Sequence, residues 1–189
     1  MNWDIDITFA GVVAEQFDEY AHAEVLFYPV GGVNGLRMPD LTLGAWLETE
    51  WRLSAATGSA ALNAVQRARA AVAAVRARVP ALVEAKARRE FKSRLDSMAM
   101  WLEDLPPQRG AGPDGSPAQR GYLAQVHLRL KAELLASAVT QPADQLSRLC
   151  AWDIGVRGRL MPGPFLLEPE VAGAATPPER FWFLFGGIS

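Results

Sequence analysis

Hydrophobic residues recur along most of this chain at the spacing of one helical face. Between residues 41 and 160, leucine, valine and aromatic residues return every three or four positions, which is typical of amphipathic α-helices. Proline and glycine divide this stretch into four or five helices, which we expect to form antiparallel hairpins. Residues 106–117 are rich in proline and glycine and are predicted to form a mobile loop between two of the helices.

The two ends of the chain carry patterns of extended structure instead. Ile5, Ile7 and Phe9 alternate with polar residues, as in a half-exposed strand. Asn34-Gly35 lies between apolar residues and is a strong signal for a tight hairpin. Residues 181–185 are uniformly apolar, and a segment of this length is too short to distinguish a buried strand from a short helix.

The predicted fold class is therefore mainly α, with four to five antiparallel helices and a small β or extended element formed by the N- and C-terminal segments. A chain of 189 residues, half of them hydrophobic, is long enough to bury a core without disulfides or structural metals. We predict a single domain over residues 1–189. Its parts are a small β or extended element (1–40), a helical core (41–160) and an aromatic C-terminal extension (161–189).

Cysteine content and hydropathy favour an intracellular protein. Cys150 is the only cysteine in the sequence, so no disulfide can form within the chain. The first residues are acidic and lack the basic and apolar regions of a signal peptide. The longest strongly apolar run, residues 181–185, is far shorter than the roughly 20 residues of a membrane span. We predict a cytoplasmic protein with no membrane span.

Charge is unevenly distributed along the chain. Residues 1–60 hold nine acids and two bases, whereas residues 61–100 hold nine bases and three acids. The first interpretation is that the acidic segment folds against the basic one. The second is head-to-tail assembly, in which the acidic end of one copy meets the basic face of another.

The basic segment between residues 67 and 94 is the densest polar feature. Its second half could bind phosphate groups, which makes nucleic acid an alternative partner. Against this, the whole chain has a net charge of −2, and the basic positions are spread around the helix. The candidate nucleic-acid-binding residues are Lys86, Arg88, Arg89, Lys92 and Arg94.

Aromatic residues near the C-terminus are the candidate protein-interaction site. Large aromatic side chains usually pack in a core, and they also anchor protein interfaces. A segment this apolar must be buried somewhere, either against its own helices or in a partner. The candidate interaction residues are Phe181, Trp182, Phe183 and Phe185.

Catalytic and cofactor motifs are incomplete. A nucleophilic site could combine Cys150 with His127 and Asp153, but Cys150 has apolar neighbours and resembles a core cysteine. The G-x-G-x-x-G at residues 110–115 follows prolines rather than a strand, which favours a loop over a dinucleotide site. Glu19-x-x-His22 is only half of a helical metal motif. We therefore expect neither a cofactor nor a metal.

Three hypotheses about function follow. The leading one is a non-enzymatic protein-interaction or assembly subunit of a bacterial-type intracellular complex, with another protein or a second copy as partner. The alternatives are a helical nucleic-acid-binding protein that uses the basic segment, and a small enzyme that uses His127 or Cys150.

Overall fold

The computed structural model describes residues 3–105, 117–175 and 177–188, and their contacts divide the chain into two compact units. The units are Met1–Glu90 and Phe91–Ser189, so the boundary falls within one long helix. The predicted fold class is confirmed, since the described chain is mainly helical with small β elements. The α-helices are α1 (Asp4–His22), α2 (Leu43–Leu53), α3 (Ser59–Arg78), α4 (Pro80–Glu103), α5 (Pro117–Ala138) and α6 (Ala143–Arg157).

Helix α1 replaces the strand that the alternation of Ile5, Ile7 and Phe9 predicted, so that prediction is wrong. Its apolar residues continue at helical spacing, and Phe9, Val13 and Phe17 are buried. Alternation over a few residues also fits the start of a helix, because positions four apart share one face. Ile5 lies on the same face one turn before the buried Phe9, at the start of the helix, and is 48% exposed.

The hairpin predicted at Asn34-Gly35 is confirmed. Strands β1 (Gly32–Val33) and β2 (Leu36–Arg37) pair antiparallel on either side of it. Asn34 has φ 51° and Gly35 has φ 77°. Two consecutive positive φ angles are characteristic of the tight turn that matches the twist of its strands, and asparagine and glycine adopt them most readily.

The first unit is built on the packing of α1 against α2 and α3. Thr42 caps α2, and its side-chain oxygen accepts a hydrogen bond from the amide of Ala45 at 3.0 Å. Glu90 of α4 is fully buried and accepts hydrogen bonds from the Thr42 hydroxyl at 2.7 Å and the Gly44 amide at 3.0 Å. This carboxylate thus satisfies the Gly44 amide in the first turn of α2, where backbone amides have no partner within the helix.

The second unit contains the end of α4, helices α5 and α6, and a hairpin of β3 (Leu160–Phe165) and β4 (Phe185–Ile188). The Trp152 indole of α6 donates a hydrogen bond to the carbonyl of Met98 in α4 at 3.1 Å. The two hairpins belong to separate sheets. Among the described helices, none is long and apolar enough to cross a bilayer.

Gly186 allows β3 and β4 to approach closely. It has φ +91°, and a Cβ atom at this position would lie 2.1 Å from the carbonyl oxygen of Met161. No side chain fits at that distance, so the hairpin requires glycine here. The residues just before Gly186 are the aromatic segment singled out in the sequence.

Candidate interaction surface

The aromatic segment packs largely within its own unit. Residues Trp182–Leu184 form a 3₁₀ helix, and β4 begins at Phe185, so the segment is part helix and part strand. Phe181 is 2% exposed and Phe183 is fully buried, whereas Trp182 and Phe185 are half-buried. The sequence left open whether these rings are buried against the chain's own helices or in a partner, and Phe181 and Phe183 lie in the chain's own core.

Three arginines hold this segment by stacking on its rings. The guanidinium of Arg157 lies 4.4 Å from the ring centre of Trp182, and that of Arg129 lies 4.7 Å from Phe183. Arg180 stacks on its neighbour Phe181 at 5.1 Å. Such cation–π contacts stabilise a ring most when water is excluded, as it is around Phe183.

Arg129 also forms the centre of a buried ion-pair network. Its guanidinium donates to both carboxylate oxygens of Asp153, at 2.8 and 3.0 Å, and to Glu133 at 3.0 Å. Arg180 donates to the other oxygen of Glu133 at 2.7 Å. The phenol of Tyr122 completes the anchor with a 2.9 Å hydrogen bond to the carbonyl of Phe183. These contacts fix the aromatic segment to α5.

The network should make stability depend on pH through Glu133. Burial alone would raise the pKa of this carboxyl, but the bonds from Arg180 and Arg129 outweigh burial and hold the pKa below its ordinary value of 4.5. A carboxyl with a lowered folded pKa stabilises the fold above pH about 4.5, and the stabilisation is lost as pH falls through the folded pKa. Glu133→Gln should therefore cost about 1–3 kcal/mol at pH 7 and progressively less below pH about 4.5.

Denaturant unfolding of both proteins between pH 7 and pH 3 measures this difference. Glu103→Gln, at an exposed position of α4, is the matched control and should change little at any pH. If the loss in free energy of unfolding caused by Glu133→Gln stayed constant down to pH 3, the ionised Glu133 carboxylate would not be the source of that stability.

The basic residues of α4 are not one exposed patch. Lys86 is 5% exposed, and its ammonium group donates to the backbone carbonyls of Tyr20 and Val25 while lying 4.2 Å from the Tyr20 ring centre. Burial lowers the pKa of Lys86. Arg94 is 7% exposed. Neither side chain is placed to meet a phosphate at the surface.

The three remaining candidates on α4 are exposed, and two of them have acidic neighbours. Arg88 donates to Glu84 at 3.2 Å, and Lys92 donates to Asp96 at 2.8 Å. Arg89 is exposed as well. Pairs four residues apart on a helix are typical of a solvated face. The geometry gives the nucleic-acid hypothesis little support.

Acidic and basic segments pair within the first unit. Arg78 of α3 forms an ion pair with Asp18 of α1, and Arg69 of α3 pairs with Glu50 of α2. Arg52 pairs with Asp6, the buried acid of the first turn of α1, at 3.2 Å. The Arg78 and Arg69 pairs agree with the first interpretation of the charge pattern, in which the acidic segment folds against the basic one, whereas the Arg52 pair lies within the acidic segment.

The side chains of the candidate catalytic group point in different directions. Asp153 is bound by Arg129, and His127 lies roughly 160° around α5 from Arg129. His127 instead lines a shallow groove with Leu123 and residues 166–168. Within the described ranges, no cluster of three histidine, cysteine or acidic side chains could hold a metal ion.

Cys150 is exposed, so the expectation of a core cysteine is wrong. It lies in the middle of the solvent-facing side of α6, between Leu146 at 42% exposure and Ile154 at 69%. Small residues fill the rest of this side. We call this surface the α6 outer face; its exposed members are Ala143, Leu146, Ser147, Cys150, Ala151 and Ile154.

The two mid-helix charges of α6 are both paired with residues of neighbouring helices, and Arg148 stays 39% exposed. Arg148 donates to Asp96 of α4 at 2.6 Å, and Asp153 accepts from Arg129 of α5. The only other charged residues of α6 are Asp144 in its first turn and Arg157 in its last. Between these ends, the α6 outer face is uncharged.

No known protein family matches this chain. Comparisons with curated proteins and with solved structures find no match either.

The spacing of Leu146, Leu149 and Ile154 in the sequence predicts a helix and does not show which of them are buried. Leu149 is buried, together with Trp152 and Val156, whereas Leu146 and Ile154 are exposed. A helical projection separates Leu149 from Ile154 by roughly 140°. In the sequence, the sign of this exposed surface was therefore the presence of apolar residues on two different sides of one helix.

Proposed function

We propose that this protein is an interaction or assembly subunit that binds a protein partner through the α6 outer face. The observation that carries the proposal is the uncharged outer face of α6, on which Leu146 is 42% and Ile154 69% exposed, while the two mid-helix charges pair with neighbouring helices. An apolar helix face in water is a common feature of protein-binding sites. The aromatic segment supports this surface only indirectly, by holding the end of α6 through the stacking of Arg157 on Trp182.

Ile154→Asp should abolish partner binding without unfolding the protein. A carboxylate at this exposed position would lose its water on docking without gaining a hydrogen-bond partner, and that loss costs free energy only in the complex. The expected loss of captured partner is tenfold or more. The measurement is capture of the tagged protein and its partners from the native host, at low and at high salt.

Leu62→Asp is the matched control, since Leu62 is 50% exposed on α3 and lies outside the α6 outer face. It should retain the same partner as the unmodified chain. An apolar contact should also survive high salt, whereas bound nucleic acid would dissociate as salt rises. Equal capture by the Ile154→Asp and Leu62→Asp proteins, or no captured partner at all, would refute the proposal.

A further inference from the structure

No further inference is drawn: the strongest candidate, the exposed apolar side of α6 at Leu146, Cys150 and Ile154, belongs to the site already described, and nothing in the part of the chain that the structure describes shows what covers it.

Discussion

Phe183→Ala is expected to lower the free energy of unfolding by about 3–5 kcal/mol, among the largest losses available in this chain. Phe183 is fully buried, and its ring contacts Arg129 on its face and the rings of Phe181 and Trp182 at its edges. Truncation removes these contacts and leaves a cavity that the surrounding helices only partly refill. Denaturant unfolding followed by circular dichroism measures the loss.

Trp182→Ala is the matched control from the next position. Trp182 is only half-buried and contacts Arg157 at the surface, so its truncation should cost clearly less than that of Phe183. The opposite outcome has a definite meaning. If the Phe183→Ala protein kept its stability but lost a protein partner, the aromatic segment would itself be the docking element. That is the alternative in which these aromatic residues are buried in a partner.

Local sequence signals were reliable where a particular backbone conformation or helix end favours one type of residue. Asn34-Gly35 predicted the hairpin because its turn needs two positive φ angles. Asp40 and Thr42 are both residues that can cap a helix in this stretch, and Thr42 is the one whose hydroxyl caps α2. Pro80 begins α4, as a proline with no amide hydrogen can do at a first helical position.

Patterns shared by helices and strands were less reliable. The alternation from Ile5 to Phe9 was too short to exclude a helix, and only the continued spacing of Val13 and Phe17 reveals α1. On α6, apolar residues occur on two sides, and the sequence does not state which side faces a core. The burial of Leu149, Trp152 and Val156 shows which side it is.

Contacts between distant positions had no signal in the sequence. Arg129 and Asp153 are 24 residues apart, and Tyr122 bonds to the carbonyl of Phe183, which is 61 residues away. Such pairs depend on how α5 and α6 pack, which periodicity within one helix does not encode. The burial of the aromatic segment follows from these contacts and remained open for that reason.

Arg129→Met is expected to lower the free energy of unfolding by about 3 kcal/mol at neutral pH. Methionine keeps much of the side-chain stem but leaves Asp153 without the two hydrogen bonds that it accepts from Arg129. Removing one member of a buried ion pair costs more than the pair itself contributes, because the other charge stays desolvated. The expected value is at the low end for buried pairs, since the Asp153 side chain keeps 20% of its exposure.

A second substitution separates the cost of the stranded charge from the loss of packing. Arg129→Met combined with Asp153→Leu removes both charges, and the double variant should be more stable than Arg129→Met alone. Arg180 still bonds to Glu133 in both proteins, so the difference reports on Asp153. Denaturant unfolding of the four proteins of this cycle gives the coupling free energy directly. If Arg129→Met lowered the free energy of unfolding by less than about 1 kcal/mol, the Arg129–Asp153 pair would contribute no more than an ordinary surface ion pair. Arg129 would then not be the residue that anchors the aromatic segment.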